Sequence, residues 1–467
     1  MTLCTEGTCR LVSELDLGNT DLAGVFSHDD LSVGDLATAP PDMVGFCGND
    51  TALACPDTAP ICAATQYCRA CAVGDEVQCS ARAITAPRCD TGTGACAACR
   101  PANEATDCPT AELSVCGSDG SCRKACTKHT DCDSGICDPG IITPSRSSCA
   151  RPDEVVYVKA QSTCPPTADG TKANPLCTMN DVLAKLPKGG YVGLLPSPAG
   201  SLAQPKASYQ APYVIVGTGT LTGASFQAGM ITFYPPAMSI DSGGNVYLSG
   251  VSFESSVSNG IVCSGGAKLT LSHVTLEKSG GGAVIGGDCE VAMDGVYVRG
   301  GAGGISQSAG TLSVTNSFVT DTTGQGLNIG PGVTVGQLAH LTIIANKPFV
   351  TTAGGIACGA AANIYNSIVR SNQQVGGSSI SGACSFHYSD LDEAVATNDH
   401  NMTLAPRFIG PSGIPQIPFN YSLKKGDAAN VACCFDLGAT LSSIKADYSG
   451  NVRPLGAGYD IGADEVQ

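Results

Sequence analysis

Between Gly250 and Asn366 one pattern of apolar residues returns again and again, each time around a turn residue. The turns fall at Gly250, His273, Gly295, Asn316, His340 and Asn366, spaced by 23, 22, 21, 24 and 26 residues. One apolar column reads Leu248, Leu271, Met293, Val314, Leu338 and Ile364; a second reads Phe253, Leu276, Val298, Val319, Ile343 and Val369. The intervening glycine-rich segments carry a third: Ile261, Val284, Ile305, Leu327, Ile356 and Ile380. No run is long enough for a helix, and no two-residue hairpin turn joins neighbours. Three short strands per coil of about 22 residues, each giving one inward column, predict an all-β domain built as a right-handed parallel β-helix. A single coil cannot bury its apolar face, so coils stack at about 4.8 Å into one long core.

Composition agrees with this reading. The 467 residues include 58 glycines, only 5% aromatics and no tryptophan, which suits tight turns around a thin core. Charged residues are 14%, below the usual quarter. The net charge of −16 excludes nucleic acid, whose phosphates it would repel, and gives no support for anionic membranes. No apolar stretch is long enough to span a bilayer, so an integral membrane protein is not expected. Of 26 cysteines, 18 lie between Cys4 and Cys149 and eight in the remainder. Even counts in both parts predict paired thiols and an oxidising compartment, hence a secreted or cell-surface protein. The N-terminus shows no basic region followed by an apolar one, so no signal peptide is visible.

Three zones follow along the chain. Residues 1–46 form an N-terminal segment with an acidic spacer, with no Lys or Arg between Arg10 and Arg69; like charges keep such a segment extended. Residues 47–150 hold a cysteine unit repeated as Cys55, Cys62, Cys68, Cys71; Cys79, Cys89, Cys96, Cys99; Cys108, Cys116, Cys122, Cys126; and partly again at Cys132, Cys137, Cys149. Two units contain Cys-x-x-Cys, which raises a zinc reading. The absence of histidine between His28 and His129 and the opened "CRKAC" favour disulfides instead. Residues 151–467 form the β-helix domain and its closing segment. Here "LCTMNDVLAKLPKGG" is a capping helix: Thr178 and Asp181 give a capping box, Met179, Val182, Leu183 and Leu186 form one apolar face, and Pro187 with Gly189 stops it. It is expected to cover the open edge of the first coil.

Cysteine spacing tests the coil register. Cys263 and Cys289 lie one coil apart, as do Cys358 and Cys384, and stacking brings both pairs within disulfide reach. Cys164–Cys177 is expected to pin the entry loop, and Cys433 and Cys434 to form a vicinal bond.

The stretch "VVYVKAQSTCPPTADGTKANPLCTMNDVLAKLPKGGYVGLLP" resembles the opening of pectin-lyase-like right-handed β-helix repeat proteins. The ending "LAPRFIG … NYSLKKGDAANV … DYSGNVRPLGAGYDIGADE" is similar to the C-terminal segment of secreted β-helix proteins labelled choice-of-anchor Q. The cysteine zone resembles Dickkopf-type repeats of bacterial surface proteins. These resemblances imply an exported β-helix protein and leave catalysis open, because the fold hosts lyases, hydrolases, adhesins and inert scaffolds.

Any chemistry would sit on outward columns. After each turn these read Ser252, Thr275, Tyr297, Phe318, Thr342, Ile368 and, two residues on, Glu254, Glu277, Arg299, Thr320, Ile344, Arg370. A polysaccharide lyase needs a basic residue as proton acceptor and a cation or arginine against the uronate. The catalytic candidates are therefore Lys347, in the longest coil, with Arg299 and Glu277. Against this, Arg299 one coil after Glu277 predicts a cross-coil ion pair, and Lys347 reads as a solvated loop lysine. Tyr297, Phe318, Arg299 and Arg370 are the candidate ligand-binding residues. The two aromatics are expected to stand outward and exposed, where a sugar-stacking platform is one reading and an aromatic ladder or contact with a covering loop is the favoured one. Glu254 with Glu277 is the weaker paired-acid candidate of a hydrolase. No cofactor is expected. Calcium at Asp390 and Asp392, or at Asp460 and Asp464, is the one alternative, although neither site has calcium-loop spacing. The leading expectation is a non-catalytic protein that binds or scaffolds a polysaccharide or cell-envelope component. A polysaccharide lyase is the alternative, and a self-assembling surface fibre or adhesin the third class.

Overall fold

A computed structural model describes residues 2–5, 8–11, 55, 59–63, 68–82, 85–108, 110, 113–117, 119–143, 146–161, 164–197, 202–204, 208–217, 220–223, 226–228, 231–233, 236–254, 258–348, 353–372, 378–393, 399–410 and 420–466. Most of the expected spacer thus lies outside the described residues. The chain divides into two compact units, Met1–Cys122 and Arg123–Gln467.

The first unit is held by its cysteines. Disulfides join Cys55–Cys68, Cys71–Cys89, Cys79–Cys96, Cys99–Cys116 and Cys108–Cys122. They pack as small buried clusters with little else inside, Ile61 being the main aliphatic residue. Each Cys-x-x-Cys is split between two disulfides, Cys68 from Cys71 and Cys96 from Cys99. No thiolate of these motifs remains for zinc, which needs the deprotonated, unpaired sulfur. A short helix, Glu76–Arg82, and hairpins such as Arg88–Asp90 with Ala95–Ala97 fill the loops between bonds.

The second unit is a parallel β-helix. Phe253 pairs with Leu276, then Val298, Val319, Ile343 and Val369, each one coil on. Leu248, Leu271, Met293, Val314, Leu338 and Ile364 stack likewise, as do Ile261, Val284, Ile305, Leu327, Ile356 and Ile380. All three expected columns stand in the expected register and share one continuous core. Early coils keep their strands separate, as at Ile261–Cys263, Lys268–Ser272 and Thr275–Glu277. Later ones run through the corners as single long strands, such as Gly303–Thr320.

The corners explain the turn column. His273, Asn316, His340 and Asn366 all have φ near +50°, and Gly250 and Gly295 lie in the same left-handed region. Asn and Gly tolerate that region best, and an Asn side chain can bond locally there. Asn316 Nδ2 donates to Asp294 Oδ1 at 2.8 Å, and Asn366 Nδ2 lies 3.2 Å from His340 Nε2 one coil back. Inside the stack, polar ladders satisfy backbone groups: Asn372 Oδ1 accepts from the Asn346 amide at 3.0 Å, and Ser367 Oγ accepts from the Leu341 amide at 3.1 Å.

Both ends are tied down. Helix Met179–Lys185 begins at Thr178, whose hydroxyl accepts from the Asp181 amide at 3.2 Å, and its Met179 and Val182 enter the core beside Val156 and Val158. The entry loop bonds the first strand through Lys159 and Leu176, pinned by Cys164–Cys177. The last cysteine segment, with Cys126–Cys137 and Cys132–Cys149, belongs to this unit. Its Ile136 and Ala150 pack on outward Tyr157, Tyr191 and Val214 of the first coils. Cys263–Cys289 and Cys358–Cys384 bridge stacked coils with Cα separations of 6.1 and 5.4 Å, and Cys433–Cys434 is the vicinal bond. No helix among the described residues is long and apolar enough to cross a membrane.

Candidate functional site

The outward column after the turn is not a free surface. Ser252, Thr275, Tyr297, Phe318, Thr342 and Ile368 do stack in order. The closing segment 420–466 then folds back over the later members. The Tyr448 ring meets Phe318 edge-on at 4.9 Å and lies 6.1 Å from Tyr297. Ile368 is buried among Leu423, Cys433, Cys434 and Ile461, and Thr342 Oγ1 accepts from the Ala463 amide at 3.0 Å. Phe318 is only 3% exposed, and Tyr297 is half-buried with its hydroxyl pushed up by burial. The expected exposure is therefore corrected: the two rings form a covered aromatic cluster, the favoured of the two readings, and not a stacking platform. The physical reason is that large apolar rings standing outward find cover when another part of the chain can supply it.

The clamp that holds this cover is Arg453. Its side chain and that of Glu465 are both 0% exposed, with Nη1 2.5 Å from Glu465 Oε2. Nε donates to Asn316 Oδ1 at 3.2 Å, and Nη2 donates to the Gly462 and Ala463 carbonyls at 3.0 and 2.7 Å. Asp460 and Asp464 are absorbed by the same fold-back. Asp460 accepts from the Asp436 and Val466 amides at 2.8 and 2.7 Å, and burial pushes its carboxyl up to about 6. Asp464 accepts from Ser449 Oγ at 3.1 Å and is also raised by burial.

The other charged candidates are engaged in pairs. Glu277 and Arg299 are direct neighbours in adjacent coils, with 3.7 Å between Oε1 and Nη1, and Arg299 is 4% exposed. Arg370 Nη1 bonds Asp390 Oδ1 at 3.0 Å and the Leu391 and Leu404 carbonyls at 3.0 and 2.8 Å, while its Nε lies 3.5 Å from Asp392. Burial drives the Asp390 carboxyl up to about 7, outweighing the pull of Arg370. Lys347 is exposed, and its amide donates to the Thr322 carbonyl at 2.8 Å. Glu254 is exposed one coil before Glu277.

A concave site lies elsewhere, beside the third strand. There the column just outside the inward one runs Val262, Ile285, Ser306, Asn328, Ala357 and Ser381. From Ser306 on, it borders a groove of about 500 Å³ spanning four successive coils. Asn328 Nδ2 donates to Ser306 Oγ at 3.2 Å, one coil apart. Gly330, Gly359 and Gly382, inside the strands that border the groove, also line it. A Cβ at Gly330 would stand 2.7 Å from the Ser308 carbonyl oxygen, and one at Gly359 2.9 Å from that of Ile329. Close stacking on the coil before thus leaves no room for a Cβ at these positions. Among the described residues no ionisable side chain other than the disulfide-bonded Cys358 lines the groove.

None of the charged or aromatic candidates read from the sequence borders this groove. Its residues flank the third apolar column, which the repeat pattern assigns only to the coil core. The signal that could have found them is the change in the outward column from Val262 and Ile285 to Ser306 and Asn328.

No known family's sequence profile matches the chain, and no curated protein matches it. Among solved structures, the crystal structure of pectate lyase Pel9A is similar at 13% identity, covering 67% of this chain and 96% of that chain, with a TM-score of 0.37. A likeness at that level does not extend to the residues of a site.

Proposed function

We propose that this is an exported, non-catalytic β-helix protein that binds a polysaccharide or another cell-envelope component in the groove beside its third strand. The observation that carries the reading is the groove itself, formed over four coils and lined without any ionisable group. Lyase or hydrolase chemistry needs an acid, base or metal at the bound sugar. Glu277, Arg299, Arg370, Asp390 and Asp392 are held in ion pairs away from the groove, and Lys347 does not border it. The dense disulfides favour an oxidising, extracellular compartment.

The test is binding of the full chain to a polysaccharide panel by calorimetry, with ultraviolet absorbance followed for unsaturated products. Ala357→Trp places a ring in the groove. It should weaken binding at least tenfold, about 1.4 kcal/mol, at unchanged melting temperature. Appearance of unsaturated product, or binding indifferent to the tryptophan, overturns the proposal.

A further inference from the structure

We infer that the occupant of this groove is an uncharged linear glycan lying along the coil stack, one sugar unit per coil; this deepens the binding reading above and rests on it. The groove repeats with the coils. Ser306, Asn328, Ala357 and Ser381 occupy equivalent positions in four successive coils, so three intervals of about 4.8 Å make a run of about 14 Å. The rise of an extended β-linked pyranose chain is close to that spacing, so each coil can face one sugar, with alternate units turned over along the chain.

The wall chemistry matches a neutral sugar. The Asn328 carboxamide uses one proton on Ser306. Its other proton, its carbonyl oxygen and the Ser381 hydroxyl have no further partner among the described residues, and a hydroxyl-bearing ligand can both accept from and donate to them. Exposed Pro331 and half-buried Ala357 offer apolar surface for the carbon–hydrogen face of a ring.

Competing occupants fit less well. A polyuronate, sulfated glycan or nucleic acid would bring anions to a protein of net charge −16, into a groove with no cation to receive them. An extended peptide that binds by strand addition needs a free sheet edge. The strands along this groove, Gly303–Thr320, Leu327–Ile344, Ile356–Tyr365 and Ile380–His387, are already paired to one another.

The full chain is titrated calorimetrically with neutral β-linked gluco-, manno- and chito-oligosaccharides of increasing length, with polygalacturonate, with a sulfated glycan and with an uncharged extended peptide. Affinity for at least one neutral series should rise with each added unit up to four and then level off. The polyanions should bind at least tenfold more weakly, with the gap narrowing as salt screens repulsion. Ser381→Lys should raise polygalacturonate affinity, and Asn328→Ala should lower neutral-glycan affinity about tenfold. Tighter wild-type binding of polygalacturonate, sensitive to Ala357→Trp, refutes the uncharged occupant while leaving the groove as a binding site. Peptide binding, or no dependence on oligomer length, refutes the one-sugar-per-coil register. Absence of binding by every ligand removes the underlying reading as well.

Discussion

Replacing Arg453 with methionine should release the closing segment from the coils it covers. The guanidinium is enclosed together with Glu465, both side chains 0% exposed. It ties three places into one: Asn316 on a coil corner, Glu465 near the end of the segment, and the Gly462 and Ala463 carbonyls. Without it, Glu465 keeps the Leu455 and Asp460 amides at 3.0 and 3.2 Å but no cation. A buried carboxylate left without its partner costs about 3–5 kcal/mol. The cost should fall mainly on local opening, because the segment packs over one face while the coil stack keeps its own core. Hydrogen exchange of amides in 447–465 should therefore accelerate by roughly 10²- to 4 × 10³-fold, at about 1.4 kcal/mol per decade, while amides of the central coils stay protected. The double variant Arg453→Met with Glu465→Leu removes both charges and should recover most of the loss. Unchanged exchange in the single variant, or a double variant as labile as the single, would refute the clamp.

Two further outcomes test the same architecture. Phe318→Ala should cost about 3–5 kcal/mol in thermal or denaturant unfolding, as for a buried phenylalanine; a change within about 0.5 kcal/mol would return this ring to an exposed platform. Asp390 gives a pH signature. Its folded carboxyl is raised to about 7 from 3.8, so folding favours its neutral form. That contribution is full below the ordinary carboxyl range and is lost as pH rises through about 7. Asp390→Asn should flatten the fall in melting temperature over this window, and parallel profiles for the two proteins would disprove the assignment.

The ion pair of Glu277 with Arg299 was legible from a spacing of one coil, because neighbours on adjacent rungs face each other as soon as the register is known. The same register did not tell whether Tyr297 and Phe318 were wet or dry. Their cover comes from Tyr448, and their segment is held by Arg453, which reaches Asn316 across 137 residues. The groove was hidden for a different reason. Glycine at Gly330 and Gly359 reads the same whether it serves a turn or a close stacking contact, and only the three-dimensional arrangement shows that these positions line a concave surface.

By itself the sequence determined the coil. A face is buried at every rung, and a one-residue slip would turn each inward column outward, so Leu276, Val298 and Val319 admit one register, and the cysteines one coil apart confirm it. Tertiary structure alone decided which outer faces stay open. That choice rests on single contacts between distant, non-periodic segments, such as Tyr421 with Asp321 across 100 residues. Periodicity encodes what repeats, and a fold-back or a groove occurs once.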